Sequence, residues 1–308
     1  VAADLGHSNS FNHQFWRDFR AAVKEANPNA IILAEHYGDP YDWLQGDQWD
    51  TIMNYDAFME PITWFLTGME KHSDSYQEGQ FGNADNFFGA MRYHMANFTT
   101  PSLQTSMNEL SNHDHSRFLT RTNKVVGRIE QLGPEAANEN VNPAVFREAI
   151  VMQMTWPGAP TIYYGDEVGL CGFTDPDNRR TYPWGREDME LLEFHKEIIQ
   201  IHKNHEVFKT GSLKFIYGEH NLIAYSRFNF EQQAVIVINN NDTDKYIELN
   251  VWPANIPMNC QMNRLLLSTA TYFCSGSVNY PVIQGRMSVH MQAHSALVLY
   301  HDKNMDNQ

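Results

Sequence analysis

The chain is short of cysteine, of positive charge and of long apolar runs. Its 308 residues include 3 cysteines, Cys171, Cys260 and Cys274. That number is too small and too odd for a disulfide framework. One Cys260–Cys274 bridge and a set of packed free thiols both stay open on this count. Lys and Arg total 22 against 37 Asp and Glu, a formal net charge of −15. Binding a phosphate backbone needs clustered cations, so nucleic acid is excluded as a partner. No run approaches the roughly 18 apolar residues of a membrane-spanning helix, which excludes a membrane partner of that kind. The N-terminus lacks Met, a basic segment and an apolar segment, so it shows no targeting signal. Val1–His7 reads as the middle of an element, and the chain is expected to be the C-terminal part of a longer one. Its compartment cannot be read, although a secreted or cell-surface location is favoured over the cytoplasm.

What is present is enough for a core. Hydrophobic residues make up 42% and aromatics 13%, with 7 Trp, which rules out a disordered chain. The length suggests about two domains. Up to about residue 210, short β-like runs alternate with longer helical patterns. Phe15–Val23 carries apolar residues at helical spacing, and Asn27-Pro28-Asn29 separates it from Ala30–Ala34, an apolar run of the kind buried on both faces. Thr51–Tyr55, Leu103–Leu110 and Thr161–Tyr164 read as further strands. Phe87–Phe98, Pro143–Trp156 and Asp188–Asn204 read as helices. This alternation predicts a parallel sheet covered by helices. After Gly211 the texture changes to short β-type runs, among them Leu222–Phe228, Ala234–Asn239, Tyr246–Val251, Met287–Met291 and Ala296–Tyr300. An antiparallel β-sandwich is expected there.

Chemistry is expected where strands end. In a β/α barrel, reactive side chains sit at the C-terminal ends of the strands. Three strands run into polar residues: Glu35-His36-Tyr37-Gly38-Asp39, Ser111-Asn112-His113-Asp114 and Gly165-Asp166-Glu167. An acid directly after an apolar strand needs compensation for lost hydration. Each acid alone is equally readable as a helix cap or a loop acceptor. Together they read as groups converging on one barrel mouth.

Asn112-His113-Asp114, with a strand before it and Arg117 after it, resembles the fourth signature region of the α-amylase family of glycoside hydrolases. Ile32-Leu33-Ala34-Glu35 is similar to its third region, and Gly158–Glu167 to the region after the last barrel strand. Asp175-Pro176-Asp177-Asn178-Arg179-Arg180 and Gly46–Asp50 resemble the neopullulanase, maltogenic-amylase and amylopullulanase-like branch. The resemblance covers nearly the whole chain. It implies an α/β fold made of the C-terminal half of a (β/α)8 TIM barrel (strands 5–8) over residues 1–210, then the β-sandwich over 211–308. It also implies a retaining glycoside hydrolase acting on α-1,4 or α-1,6 glucans such as starch, maltodextrin or pullulan. Retention requires two carboxyls about 5–5.5 Å apart.

Carried over residue by residue, the resemblance makes Glu35 the general acid/base and Asp114 the acid that grips sugar hydroxyls and stabilises the transition state. It places His113 and Asn112 against the sugar, Tyr37 as an aromatic platform on the leaving side, and Asp175 with Arg179 around a glucose on the non-reducing side. The family nucleophile belongs to a Gly-x-Arg-x-Asp motif that this sequence lacks. Asp4 has Ala2 where the Arg should stand, and is read as an acceptor-side, substrate-binding residue. The chain is therefore expected to lack its nucleophile and to be inactive alone, its partners being an α-glucan and the missing N-terminal half of the barrel. No cofactor is required. Calcium is expected, if anywhere, in the missing part, because no zinc-type spacing or EF-hand loop occurs here. Two alternatives are a 4-α-glucanotransferase, and a non-catalytic glucan-binding relative gripping sugar with Tyr37 and Trp43.

Overall fold

The computed structural model describes residues 5–303, so Asp4 lies outside the described residues. Helix α1 (Asn9–Ala26) starts at Ser8, whose hydroxyl accepts the N–H of Phe11 at 3.3 Å. It leads to strand β1 (Leu33–Ala34), then β2 (Thr51–Ile52), a π-turn (Tyr55–Met59) and α2 (Glu60–Thr67). α3 (Ala84–Met95), α4 (Thr100–Gln104) and β3 (Met107–Glu109) follow. After the short helices α5 (Phe118–Arg121) and α6 (Ile129–Leu132) come α7 (Pro143–Thr155), β4 (Ala159–Thr161), α8 (Met189–Asn204) and α9 (Glu206–Thr210).

β1 pairs with β2 in parallel and β3 with β4 in parallel. A parallel bridge, Met53 to Met107, joins the two pairs. The four strands thus stand side by side in chain order, as expected of βαβ units. Among the described residues β1 pairs only with β2, and β4 only with β3. The first strand departs from the fully buried run expected of it. Ile32 and Ala34 are buried with Trp16, Trp43 and Trp49, but Ile31 is 66% and Leu33 36% exposed. Strand alternation sends the odd side chains to the other face, which the described residues leave partly open.

Two more corrections concern strand ends. Leu103 belongs to α4, not to a strand: the Thr99 hydroxyl accepts the N–H of Ser102, and Pro101 sits in the first turn, a helix-start pattern. β4 ends at Thr161 rather than Tyr164, because β3 turns away after Glu109, the residue paired with Thr161. Gly158 permits the close approach before it. A Cβ there would lie 2.3 Å from the Asn108 amide nitrogen.

α7 is buried at every position but Pro143, as suits an apolar helix enclosed all round. Strands β5 (Ser212–Glu219), β6 (Leu222–Phe228), β7 (Gln232–Asn239), β8 (Lys245–Asn250), β9 (Cys260–Ser268), β10 (Phe273–Cys274), β11 (Asn279–Val282), β12 (Arg286–Met291) and β13 (Ser295–Asp302) complete the described chain. All their pairings are antiparallel. Seven form one sheet, β10-β9-β13-β7-β6-β5 with β11 also on β9, and β8 pairs with β12. Side chains of the central strands alternate between two cores. Ile223, Tyr225, Ile236 and Val298 face the helices, while Leu222, Ala224, Val237 and Leu299 face the β8–β12 pair. Both faces being covered explains the unbroken apolar runs in these strands.

The sheet packs chiefly on α7 and α3, with the last long helix of the α/β part in a lesser role. Arg147 of α7 donates to Ser268 Oγ and the Thr269 carbonyl, Thr155 bonds the Tyr225 hydroxyl at 2.6 Å, and Phe88 of α3 stacks on Phe215 at 4.3 Å. α8 adds Phe194 against Phe273. All three cysteines are free thiols, so the Cys260–Cys274 bridge is absent.

Glu148 of α7 is fully buried and neither carboxylate oxygen has a hydrogen-bond partner. His294 Nδ1 stands 3.9 Å from it. Burial raises its pKa well above the usual carboxylate value. A raised carboxyl binds its proton more tightly folded than unfolded. Its stabilising contribution is therefore complete below the unfolded pKa of about 4.3 and is lost as pH rises toward the folded value. Glu148→Gln removes that loss. In thermal unfolding followed from pH 4 to pH 8, the variant should match the parent near pH 4 and exceed it progressively above pH 5. The gap should grow by up to about 1.4 kcal/mol per pH unit. A constant gap at every pH would contradict the assignment.

Candidate active site

The site lies at the C-terminal ends of the four parallel strands. Glu35 follows β1 directly. The loop after β3 carries His113 and Asp114, and a loop from Thr174 to Arg180 closes over it. One ligand-type atom each of Glu35, His113 and Asp114 lie within 4.8 Å of one another. Two carboxyls from strands that are not neighbours thus meet at one point.

The loop after β3 is built around Asn112. Its side-chain carbonyl accepts the backbone N–H groups of Asp114 and His115, both at 2.9 Å. Its amide nitrogen donates to Glu109 Oε1 at 2.6 Å and to the Tyr55 hydroxyl at 3.3 Å. Asn112 is 2% exposed. Both ends of its side chain are spent on protein, so it holds the loop rather than the sugar contact expected of it. Asp114 is held from outside as well: its carbonyl accepts the N–H of Asp175 at 3.2 Å and the hydroxyl of Thr174.

Arg179 links the two loops. Its Nε donates to the His113 carbonyl at 3.0 Å and lies 2.8 Å from Asp175 Oδ1, and its Nη2 lies 3.7 Å from Asp114 Oδ1. His113 Nε2 stands 3.4 Å from the same Asp114 oxygen. Glu35, His113, Asp114, Asp175 and Arg179 are therefore brought together, with the last four partly open to solvent.

Tyr37, expected as an aromatic platform, joins them half-exposed and packed on one ring face. Its ring stacks on Tyr55 at 4.4 Å and 11°, the Lys71 ammonium stands 5.0 Å over it, and its hydroxyl is 3.3 Å from His115 Nε2. Lys71 is paired with Glu60, and its carbonyl accepts the Ser116 N–H and hydroxyl. Trp43 is not available for sugar at all, being buried between His13 at 3.9 Å and Trp49 at 4.6 Å.

Residues missed in the sequence complete the floor. The Tyr55 hydroxyl reaches Glu35 Oε1 at 3.2 Å. Glu109, 1% exposed, lies at the end of β3, where burial pushes its carboxyl up to about 8 against the pull of Asn112. Burial, helped by Arg121 and His72, drives His115 down to about 2, so it stays neutral. A charged residue near the end of a stretch read as a strand was the available signal for Glu109. Glu60 and Lys71 gave none.

Asp166 does not face the opening. Buried, it takes Arg117 Nη1 at 2.8 Å. Burial pushes its carboxyl up, and Arg117 opposes that shift. Asp47 and Asp50 hold Arg17, Arg20 and Lys24 of α1. A cavity of about 540 Å³ lined by Arg20, Ala30, Trp49 and Thr105 opens at the opposite, N-terminal strand ends and contains none of the site residues. The convergent acids, not that cavity, mark the site. As a cation site, Glu35, His113 and Asp114 fall short of the six to eight oxygens that calcium takes.

Residues 5–207 match the model of the α-amylase catalytic domain. The chain belongs to the α-amylase family. That family's fold is a TIM barrel with a β-sheet domain, the plan to which the parallel strands and the antiparallel sheet conform. The chain is 29% identical to an amylopullulanase of Thermoanaerobacterium thermosulfurigenes over 98% of its length, covering 16% of that protein. It is 34% identical to neopullulanase 2 of Thermoactinomyces vulgaris over 80% of its length, covering 38% of that enzyme. Among solved structures it superposes on a cyclomaltodextrinase with a TM-score of 0.73 at 27% identity, covering 96% of this chain and 44% of the other. A Nostoc punctiforme debranching enzyme soaked with acarbose gives 0.71 at 25% identity, with 92% and 53% covered. The chain thus spans about half or less of the relatives it matches.

Asp166→Ala should leave Arg117 charged and buried without a counterion, at a cost of about 3–5 kcal/mol. Urea denaturation measures this directly. A loss below about 1 kcal/mol would show that the pair does not hold the loops.

Proposed function

We propose that the chain is the C-terminal half of the catalytic barrel, strands five to eight, and the sheet domain of a retaining glycosidase acting on α-1,4 or α-1,6 glucans. The observation that carries this reading is the meeting of Glu35 and Asp114 within 4.8 Å, with His113 beside them. A carbohydrate-binding relative without chemistry has no need of a proton donor at that point. Glu35 acts as the general acid on the glycosidic oxygen and then as base toward water. Asp114 grips ring hydroxyls and offsets the positive charge that develops on the sugar. Arg179, bonded to Asp175 and to the His113 carbonyl, keeps the glucose-binding loop and the Asp114 loop in register.

The nucleophile comes from outside residues 1–308 in this reading, on the barrel strands that precede β1. Three features support it. β1 and β4 each have an unpaired edge among the described residues. Ile31 and Leu33 point to a partly open face. Phe11, Phe15 and Phe19, spaced as a stripe along α1, are all exposed. A preceding half-barrel buries all three features at once.

Two measurements test this. Glu35→Gln in the polypeptide that carries the complete barrel should lower kcat on a chromogenic maltoside by about 10²–10⁴-fold. Unchanged turnover would remove Glu35 as the acid. Purified residues 1–308 alone should give no turnover above background, because loss of one member of a cooperating catalytic set removes most of the rate enhancement.

A further inference from the structure

Glu109 is a buried carboxyl beneath the site to which the mechanism of acid and base gives no task. Its role rests on the reading of Glu35 as the acid, and emerges from a count of donors and acceptors.

Asn112 can take only one orientation. Its Oδ1 must face the two backbone N–H groups of Asp114 and His115, because an amide N–H cannot accept them. The NH2 group then has two hydrogens and two acceptors, Glu109 Oε1 at 2.6 Å and the Tyr55 hydroxyl oxygen at 3.3 Å. Having accepted one hydrogen, the Tyr55 oxygen turns its own toward an acceptor. Glu35 Oε1 at 3.2 Å, a carboxyl oxygen, is the strongest, with Met53 Sδ at 3.5 Å and the neighbouring Tyr37 hydroxyl as its neutral competitors. A hydrogen arriving at Glu35 Oε1 leaves Oε2 as the oxygen that carries the acid's own proton.

We propose that Glu109 is a positioning residue: by anchoring the Asn112 amide it aims the Tyr55 hydroxyl at Glu35 and assigns the catalytic proton to the other Glu35 oxygen. The anchor has no competing use. Glu109 is 1% exposed and faces no solvent partner. The charged groups acting on it are Glu35 and Asp166, which disfavour its ionisation, and Arg121, which favours it. Asp166 is itself paired with Arg117. Its neutral form therefore prevails at neutral pH, and burial places its ionisation near pH 8.

The test uses Glu109→Leu, Glu109→Gln and Tyr55→Phe in the polypeptide carrying the complete barrel, with Glu35→Gln as control. Glu109→Leu removes the anchor and should lower kcat about tenfold with KM little changed. Glu109→Gln keeps a neutral acceptor for Asn112 and should restore most of that loss near pH 6. That rescue by an uncharged acceptor separates the anchor from a merely structural role, which a change of packing alone would not restore. Tyr55→Phe should lower kcat as Glu109→Leu does, and the double variant should lose no more than either alone, since both break one chain. Should Glu109→Leu fail to fold, Tyr55→Phe, which breaks the same chain next to Glu35, decides. Parent-like kcat in Glu109→Leu or in Tyr55→Phe would overturn the assignment while Glu35→Gln stays inactive. An active Glu35→Gln would instead overturn the reading of the site itself.

Discussion

Arg117 has no exposed side-chain surface, and its guanidinium joins three loops at once. Nη1 donates to the Tyr164 carbonyl and to Asp166 in the turn after β4, and Nε donates to the Asn178 carbonyl in the loop that carries Arg179. Its backbone N–H adds a bond to the Gly172 carbonyl. The guanidinium also lies over the rings of Tyr163 and Tyr164, at 4.5 and 5.0 Å. Taking such a cation out of water costs several kcal/mol unless each N–H and the charge itself are answered. Asp166 answers the charge and two carbonyls answer Nε and Nη1, while Nη2 is buried without a hydrogen-bond partner. The separation of His113, Asp114, Asp175 and Arg179 follows from that arrangement, since all four sit on loops Arg117 ties together. Its planar fork is what makes the three-way junction work; a lysine has one point of attachment.

The elements that show most plainly in the sequence are those whose signal is local. α1, α7 and α8 announce themselves by spacing and by the caps Ser8, Asn142 and Asp188. The strands of the sheet carry continuous apolar runs, and β6 is legible to its final residue. The weaker readings are those settled by distant partners. Only two residues of Ala30–Ala34 form a strand, because a ladder lasts only as long as its neighbour does, and β2 runs straight into a π-turn. β5, β10 and β11 leave no clear mark in the sequence: only partly buried, they owe their conformation to pairing with β6 and β9.

The site divides the same way. Glu35, His113, Asp114, Asp175 and Arg179 are legible because they sit inside the short contiguous motifs that carry the family resemblance. Asn112 is legible as a residue but not as a scaffold, since its partners Glu109 and Tyr55 become adjacent only through tertiary folding. Lys71 reaches Tyr37 from a loop 34 positions later in the chain, and no spacing rule connects them.

The helices and the sheet share one continuous apolar cluster that runs from Met53 to Tyr300. Arg227 of β6 reinforces it by donating to the carbonyls of Thr155 and Gly211, one on either side of the change from helices to strands. Such a seam makes the two architectures a cooperative unit in a calorimeter, melting in one endotherm. It also denies a protease a useful hinge: a nick near Gly211 leaves the fragments clasped together, and a swap of the sheet for an unrelated module would strip Trp156 and Phe87 of their shelter.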